Sequence, residues 1–281
     1  MKPVIKWTGG KSQLTEQIRK LIPDTYTKYY EPFVGGGAVL LDLCPEKAVV
    51  NDLNFELINM YLQIKFDVEG VINYLSILDA EHEAVKDPKA FYYRIRKDFN
   101  DSLDACTATQ AARFIYLNKH CFNGLFRVNK KGEFNVPFNG KLTGGSFDPE
   151  HLRAVSKQLQ NVQFMCGDFA WVATAEEGSL VYLDPPYDPD EDIKTEGFVG
   201  YQKDGWTRED TKRLKSICDD LVQRNCKVII SNNDTAFIRE LFKDYKITEV
   251  DVRRSINRDG QNRTGKEVII TNYEVADEQI S

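Results

Sequence analysis

The run Leu180-Val181-Tyr182-Leu183 stops at Asp184-Pro185-Pro186-Tyr187, and this junction limits the fold more than any other stretch. Consecutive apolar residues bounded by prolines predict a buried strand that ends where the chain enters a stiff loop. A residue preceding proline is driven out of the helical region, so Asp184 and Pro185 are both held extended. One carboxylate, one proline carbonyl and one aromatic ring then project at the carboxyl end of a strand, the edge at which open α/β sheets bind ligands. The two oxygens can accept hydrogen bonds from a planar amino group while Tyr187 stacks on the base that bears it. Asp184, Pro185, Pro186 and Tyr187 together suit chemistry on the exocyclic amine of a nucleobase.

The rest of the chain supplies the sheet this strand needs. Strands are predicted at 29–33, 48–51, 162–166, 180–183 and 227–231, then at 246–254 and 266–273. Helices are predicted from Ala38, near 150–160, 169–176, 208–225 and 234–243. From Asn54 to Cys121 the pattern is helical, over 54–66, 69–85, 88–100 and 108–120, with Pro88 in a first turn and Thr107 or Thr109 as an amino cap. Residues 126–138 alternate around Asn129-Lys130-Lys131-Gly132, which predicts a β-hairpin. The expected fold class is α/β, with a Rossmann-like mixed sheet interrupted by a mostly helical insertion that bears the hairpin. The expected division is a core of 1–55 and 147–281 around an inserted domain of 56–146.

Several strand ends bear candidate ligands. Phe33-Val34-Gly35-Gly36-Gly37 forms a glycine-rich strand-to-helix turn, which lets backbone approach a ligand. Asp52 stands at the end of the next strand, where an acid binds ribose hydroxyls or caps the following helix; both roles fit. Asp168, followed by Phe169, is open to the same two readings, an adenine amino group or a helix cap. Ser231-Asn232-Asn233-Asp234-Thr235 is expected to cap a helix through Asn233 or Asp234. Gly10-Lys11-Ser12 imitates a phosphate loop, but that motif needs a glycine where Ile5 stands. What remains is a glycine turn flanked by Trp7 and Lys11, suited to stacking on an adenine or holding a carboxylate.

Composition sets the outer bounds. The net charge of −6 opposes indiscriminate nucleic-acid binding, so any DNA contact needs basic residues gathered locally. Two segments meet that need: Lys119, Arg127, Lys130, Lys131 and Lys141, and Arg253, Arg254, Arg258, Arg263 and Lys266. Residues 123–138 add polar readers such as Asn123 and Asn135 and apolar wedges, a mixture suited to a DNA groove or simply to a folded hairpin. Six dispersed cysteines without a Cys-x-x-Cys pair, and three dispersed histidines, predict no metal site and reduced, mostly buried thiols. No cysteine follows a proline, so the nucleophile of cytosine-C5 methylation is missing. No stretch is apolar enough to span a membrane and no signal peptide is apparent, so a cytoplasmic protein is expected; a monomer is expected besides.

These elements, in this order, resemble the Dam-type family of DNA adenine-N6 methyltransferases. The likeness runs from Lys6-Trp7-Thr8-Gly9-Gly10-Lys11 through Glu31–Gly37 and Asn51-Asp52-Leu53-Asn54 to Asn123-Gly124-Leu125. It continues through Gly132–Phe138, Asp184–Tyr187, Ser231–Thr235 and Arg253-Arg254-Ser255-Ile256. The resemblance implies a class I methyltransferase fold, S-adenosylmethionine as methyl donor, no metal, and double-stranded DNA as partner with GATC as the site. It implies donor contacts from Trp7, Lys11, Phe33, Gly35, Gly37, Asp52, Asp168, Phe169 and Asp184. DNA contacts are implied for Asn123, Leu125, Arg127, Lys130, Asn135, Pro137, Arg253 and Arg254, and the target base is flipped from the duplex. Asn139-Gly140-Lys141 departs from the family pattern of a glycine, a basic residue and an aromatic, at positions tied to the outermost bases. Cytosine-N4 methylation is the nearest rival, although the leading Asp184 in place of serine favours adenine. RNA or protein amide methylation usually shows asparagine there, and a silent DNA-binding module would not need these motifs intact.

Overall fold

The computed structural model describes residues 1–141, 145–188, 205–253 and 264–274. At 252, 253, 264 and 265 it describes the backbone alone. Chain order is α1 (Thr15–Leu21), β1 (Tyr29–Glu31), α2 (Ala38–Leu43), β2 (Ala48–Asp52), α3 (Phe55–Phe66), α4 (Val68–Ala84), α5 (Pro88–Asn100) and α6 (Ala108–His120). There follow α7 (Pro149–Gln158), β3 (Val162–Cys166), β4 (Leu180–Leu183), α8 (Arg208–Gln223), β5 (Lys227–Asn233), α9 (Ala236–Leu241), β6 (Lys246–Arg253) and β7 (Thr264–Thr271).

The strands form one seven-stranded sheet ordered β3-β2-β1-β4-β5-β7-β6, the α/β architecture expected from the sequence. The pairs β1–β2, β1–β4 and β4–β5 are parallel, whereas β7 runs antiparallel to both β5 and β6. The strand that feeds Asp184 is therefore central, and Leu180 to Leu183 are all buried. A strand covered on both faces reads as a continuous apolar run, which is what the sequence shows.

The chain divides into two compact units. One comprises Met1–Gly10, Val34–Cys44 and Asn51–Gly167; the other comprises Lys11–Phe33, Pro45–Val50 and Asp168–Ser281. In the first, α6 is the hub, packing against α3, α4 and α5. Its Ala111, Ala112, Phe114, Ile115, Tyr116 and Leu117 are all buried, and so are Gln110, Asn118 and His120, so it is enclosed nearly all round, as befits a central helix. In the second, α8 lies on β5 and buries Leu214, Cys218 and Leu221. Its Thr207–Asp210 capping box satisfies two end donors reciprocally.

Local differences from the expectations have identifiable causes. Helix α1 was not foreseen: it is one short turn pair without a side-chain cap, held by burial of Ile18. Strand β1 ends at Glu31 because Pro32 cannot donate to a ladder. The helix expected at 169–176 is a 3-10 turn over Phe169–Thr174. Helix α3 is capped by Asn54, not Asp52, and α9 by Thr235 rather than Asn233 or Asp234. Thr107 caps α6 and Pro88 opens α5, as expected. The thiols are all free, but Cys44, Cys106 and Cys166 are exposed, against the expectation that most would be buried. Among the described residues, no helix is long and apolar enough to cross a membrane, and no cluster of histidine, cysteine or acidic side chains has the makings of a metal site.

Candidate functional site

In the second unit the geometry centres on Asp184. Its Oδ1 lies 2.8 Å from the Lys11 ammonium, with the lysine side chain 6% and the aspartate 18% exposed. This is a close charge pair between a buried ammonium and a half-buried carboxylate. Burial pushes the Asp184 carboxyl up to about 6; Lys11 opposes that rise, and the Glu267 carboxylate adds to it. Lys11 also sits 4.8 Å from the centroid of the Tyr187 ring, a cation–π contact. The Tyr187 hydroxyl donates to Glu267 Oε2 at 2.5 Å, and burial holds this phenol far above its ordinary titration range. Pro185 is buried and Pro186 exposed.

The residue after this motif anchors it. Asp188, whose side chain is fully buried, accepts from Arg208 Nε at 3.0 Å and from the Thr235 hydroxyl at 3.2 Å. Its carbonyl accepts from Asn233 Nδ2 at 2.9 Å. The rings of Phe33, Phe169 and Trp206 pack mutually, with centroids 5.4–5.7 Å apart. Beside them Asp168 accepts from the backbone of Ala170, as a cap, and binds Arg213 in a two-pronged pair at 2.7 and 3.0 Å. That guanidinium holds the Asp168 carboxyl below its usual range.

In the first unit the glycine turn is dictated by packing. Gly35 has φ +48°, and a Cβ there would lie 2.8 Å from the Trp7 ring; at Gly37, φ +70°, it would lie 2.7 Å from the Tyr61 hydroxyl oxygen. Only glycine fits both the left-handed backbone and these neighbours. Tyr61 donates to the Gly35 carbonyl at 2.9 Å. Asp52 accepts from the backbone N–H of Gly35 at 3.0 Å and of Asn54 at 3.0 Å, and burial raises its carboxyl to about 6. Trp7, Gly35, Gly37 and Asp52 are thus one assembly. Trp7 in turn stacks on Phe126, at 5.6 Å, the start of the expected hairpin.

That hairpin exists as a turn with sparse pairing. Two isolated antiparallel bridges, Cys121–Phe138 and Val128–Phe134, replace a ladder. The missing strand bonds are supplied by α5: Asn100 accepts from the Phe134 N–H and donates to its carbonyl, while Tyr92 and Arg96 donate to the Val136 carbonyl. Phe134 and Val136 are buried, leaving Asn123, Arg127, Lys130 and Pro137 exposed and Leu125 and Asn135 half-buried. Arg127 donates to Asn135 Oδ1 at 2.7 Å. Arg253 closes β6 with only its backbone described, and Arg254 lies outside the described residues, as do Arg258 and Arg263.

Sequence reasoning did not single out Glu267, Asp188, Trp206, Asn118 or Asn100. Asn118 joins the first motif to the loop at Gly124, accepting from the Lys6 N–H at 2.9 Å and donating to the carbonyls of Lys6 at 2.8 Å and Gly124 at 3.1 Å. An amide placed directly after the apolar run Phe114–Leu117 was the available signal, since a buried polar group needs partners.

A family model for D12 class N6 adenine-specific DNA methyltransferases matches residues 7–256. Among curated proteins, the type II methyltransferase M.MjaIII of Methanocaldococcus jannaschii is 40% identical over 97% of this chain and 99% of its own. The type II methyltransferase M1.LlaDCHI of Lactococcus lactis subsp. cremoris is 38% identical over 97% and 96%. The DNA adenine methylase of Escherichia coli is 34% identical over 96% and 94%. The Dam-type resemblance therefore extends to whole chains as well as to motifs. With Asp184–Tyr187 closing the central strand inside the matched region, this chain belongs to the D12 class of N6 adenine-specific DNA methyltransferases.

Proposed function

We propose that this DNA adenine methyltransferase takes its methyl group from S-adenosylmethionine and acts on a flipped adenine within GATC in duplex DNA. The observation that carries this reading is the Lys11–Asp184 pair beside Tyr187, at the carboxyl end of the central strand. The donor set suits the proposed cofactor: an ammonium and a carboxylate 2.8 Å apart complement a zwitterionic amino acid, and the rings of Phe33 and Phe169 with Asp168 suit an adenine. The family resemblance also assigns Gly35, Gly37, Asp52 and Trp7 to the cofactor. When bound, S-adenosylmethionine supplies a methyl group made electrophilic by its sulfonium.

An adenine amino nitrogen is a poor nucleophile because its lone pair is delocalised into the ring. The Asp184 carboxylate and the Pro185 carbonyl accept its two hydrogens, which favours a pyramidal nitrogen with an available lone pair. Asp184, whose proton affinity burial has raised, takes the proton the nitrogen sheds. Alignment of the reacting groups supplies most of the acceleration. In a duplex that nitrogen is paired, so the base leaves the stack and lies against Tyr187. Residues 56–146 act as the target-reading domain, with Asn123, Leu125, Arg127, Asn135 and Pro137 at base edges and Lys130 near phosphates; Arg253 and Arg254, from the core domain, are assigned to DNA as well.

The test is incubation with labelled S-adenosylmethionine and plasmid, followed by base analysis and methylation-sensitive digestion at GATC. Label in N6-methyladenine with protection of GATC is expected. Label in N4-methylcytosine would overturn the adenine assignment, and N6 label without GATC protection would overturn the site alone.

A further inference from the structure

Because β7 runs antiparallel to β5, it enters the sheet at the edge where β4 leaves it. Glu267 pairs in register with Asn233, the last residue of β5, and so stands at the carboxyl end of the parallel strands. From there it reaches the Tyr187 hydroxyl at 2.5 Å. A phenol donating to a carboxylate makes a charge-assisted bond, roughly twice as strong as one between neutral partners. Such a bond fixes the ring in plane and draws electron density toward its π face, which strengthens attraction for a cation over that face. Lys11 already lies 4.8 Å from the centroid of the same ring.

A simple tether for the loop does not require this contact. Asp188, one residue on, is fixed by Arg208, Thr235 and Asn233, so the backbone is anchored independently. Nor is a second carboxylate near Asp184 neutral in its effect, since its charge makes Asp184 harder to ionise. Its placement is better explained by the reaction. Methylation leaves the adenine amino nitrogen positively charged until a proton departs, and a negatively polarised ring stacked on that base favours the charge as it develops.

We infer that Glu267 is a positioning residue for methyl transfer, holding the Tyr187 ring by its hydroxyl and keeping its face electron-rich beneath the adenine. The inference rests on the proposed stacking of the target base on Tyr187. The test compares native protein with Glu267→Gln, Glu267→Leu, Tyr187→Phe and the double variant Tyr187→Phe/Glu267→Gln, in steady-state methylation of a GATC duplex. Loss of one charge-assisted bond should lower kcat about tenfold in Glu267→Gln, with KM for DNA and for S-adenosylmethionine within about twofold of native. In the Tyr187→Phe background the same substitution should cost less than about twofold, because the hydroxyl it acts through is gone. An unchanged kcat in Glu267→Gln, an equal loss in both backgrounds, or a loss confined to KM would overturn the inference while leaving the methyltransferase reading intact. Absence of adenine methylation by the native chain would sink both. If Glu267→Leu does not fold, the cycle built on Glu267→Gln, checked by its melting curve, still decides.

Discussion

Asp184 must stay an acceptor in surroundings that favour its protonated form. Burial lifts its carboxyl to about 6, and the Lys11 ammonium at 2.8 Å limits the rise. Only the ionised group can take the proton that the amino nitrogen sheds, so kcat/KM should fall about tenfold per pH unit below about 6 and level off above it. Asp184→Asn should remove that limb and reduce turnover at least about 100-fold while sparing DNA binding; a surviving acidic limb would assign it to another group. The same shift bears on stability. A folded-state value above the ordinary one means that the folded chain holds the proton more tightly, so this carboxyl's contribution is present at acid pH and fades as pH rises toward 6. Glu56, in the other unit, gives the same sign. Burial raises it to about 7; Oε1 accepts from the Asp104 N–H at 2.9 Å, and Oε2 is buried without a partner. Glu56→Gln should therefore stabilise the fold by about 1–3 kcal/mol at pH 8 and by far less at pH 4, read from chemical denaturation at both values. A gain independent of pH would refute the burial account.

The loop over 126–138 shows how an element can be set by its neighbours. Alternation over 126–138 predicted a ladder, yet Asn100, Tyr92 and Arg96 of α5 satisfy the loop's inner backbone instead. Burial of Phe134 and Val136 then turns Arg127 and Pro137 outward. Arg127 donates to Asn135 through Nε, to Oδ1 at 2.7 Å, and through Nη2, to the carbonyl at 3.4 Å, which fixes its guanidinium at an exposed position. Arg127→Ala should relax discrimination at one guanine position by about 1–3 kcal/mol, measured by competition among single-base variants of GATC. Uniform weakening on every sequence would instead mark a phosphate contact. The turn signal Asn129–Gly132 was legible because glycine and asparagine chemistry is local: Gly132 N–H donates to the Asn129 carbonyl at 2.9 Å. The partners from α5 were not, since nothing in residues 92–100 marks them as facing residues 134–136.

For the molecule as a whole, a chain of net charge −6 binds a polyanion only through local cations. DNA affinity should thus fall steeply with salt, and Lys130→Ala, at an exposed position, should weaken binding evenly across sequences and reduce the logarithmic salt slope by about 1. An unchanged slope would remove Lys130 from the phosphate contacts. The alternation of strands and helices, the motif that ends β4 and the glycine turn were all readable from the chain, because each depends on local rules: apolar period, proline stiffness and positive φ. Even there, the reason for the glycines emerged only with Trp7 and Tyr61 packed against them. Helix α1 and the true cap Thr235 escaped because a short helix is decided by burial and by competition among adjacent capping side chains. Glu267 escaped for a deeper reason. Eighty residues separate it from Tyr187, and only the antiparallel return of β7 beside β5 brings the two together. Spacing along the chain thus determined which chemistry is present; sheet direction decided which side chains share it, because hydrogen-bonded strands place distant residues side by side.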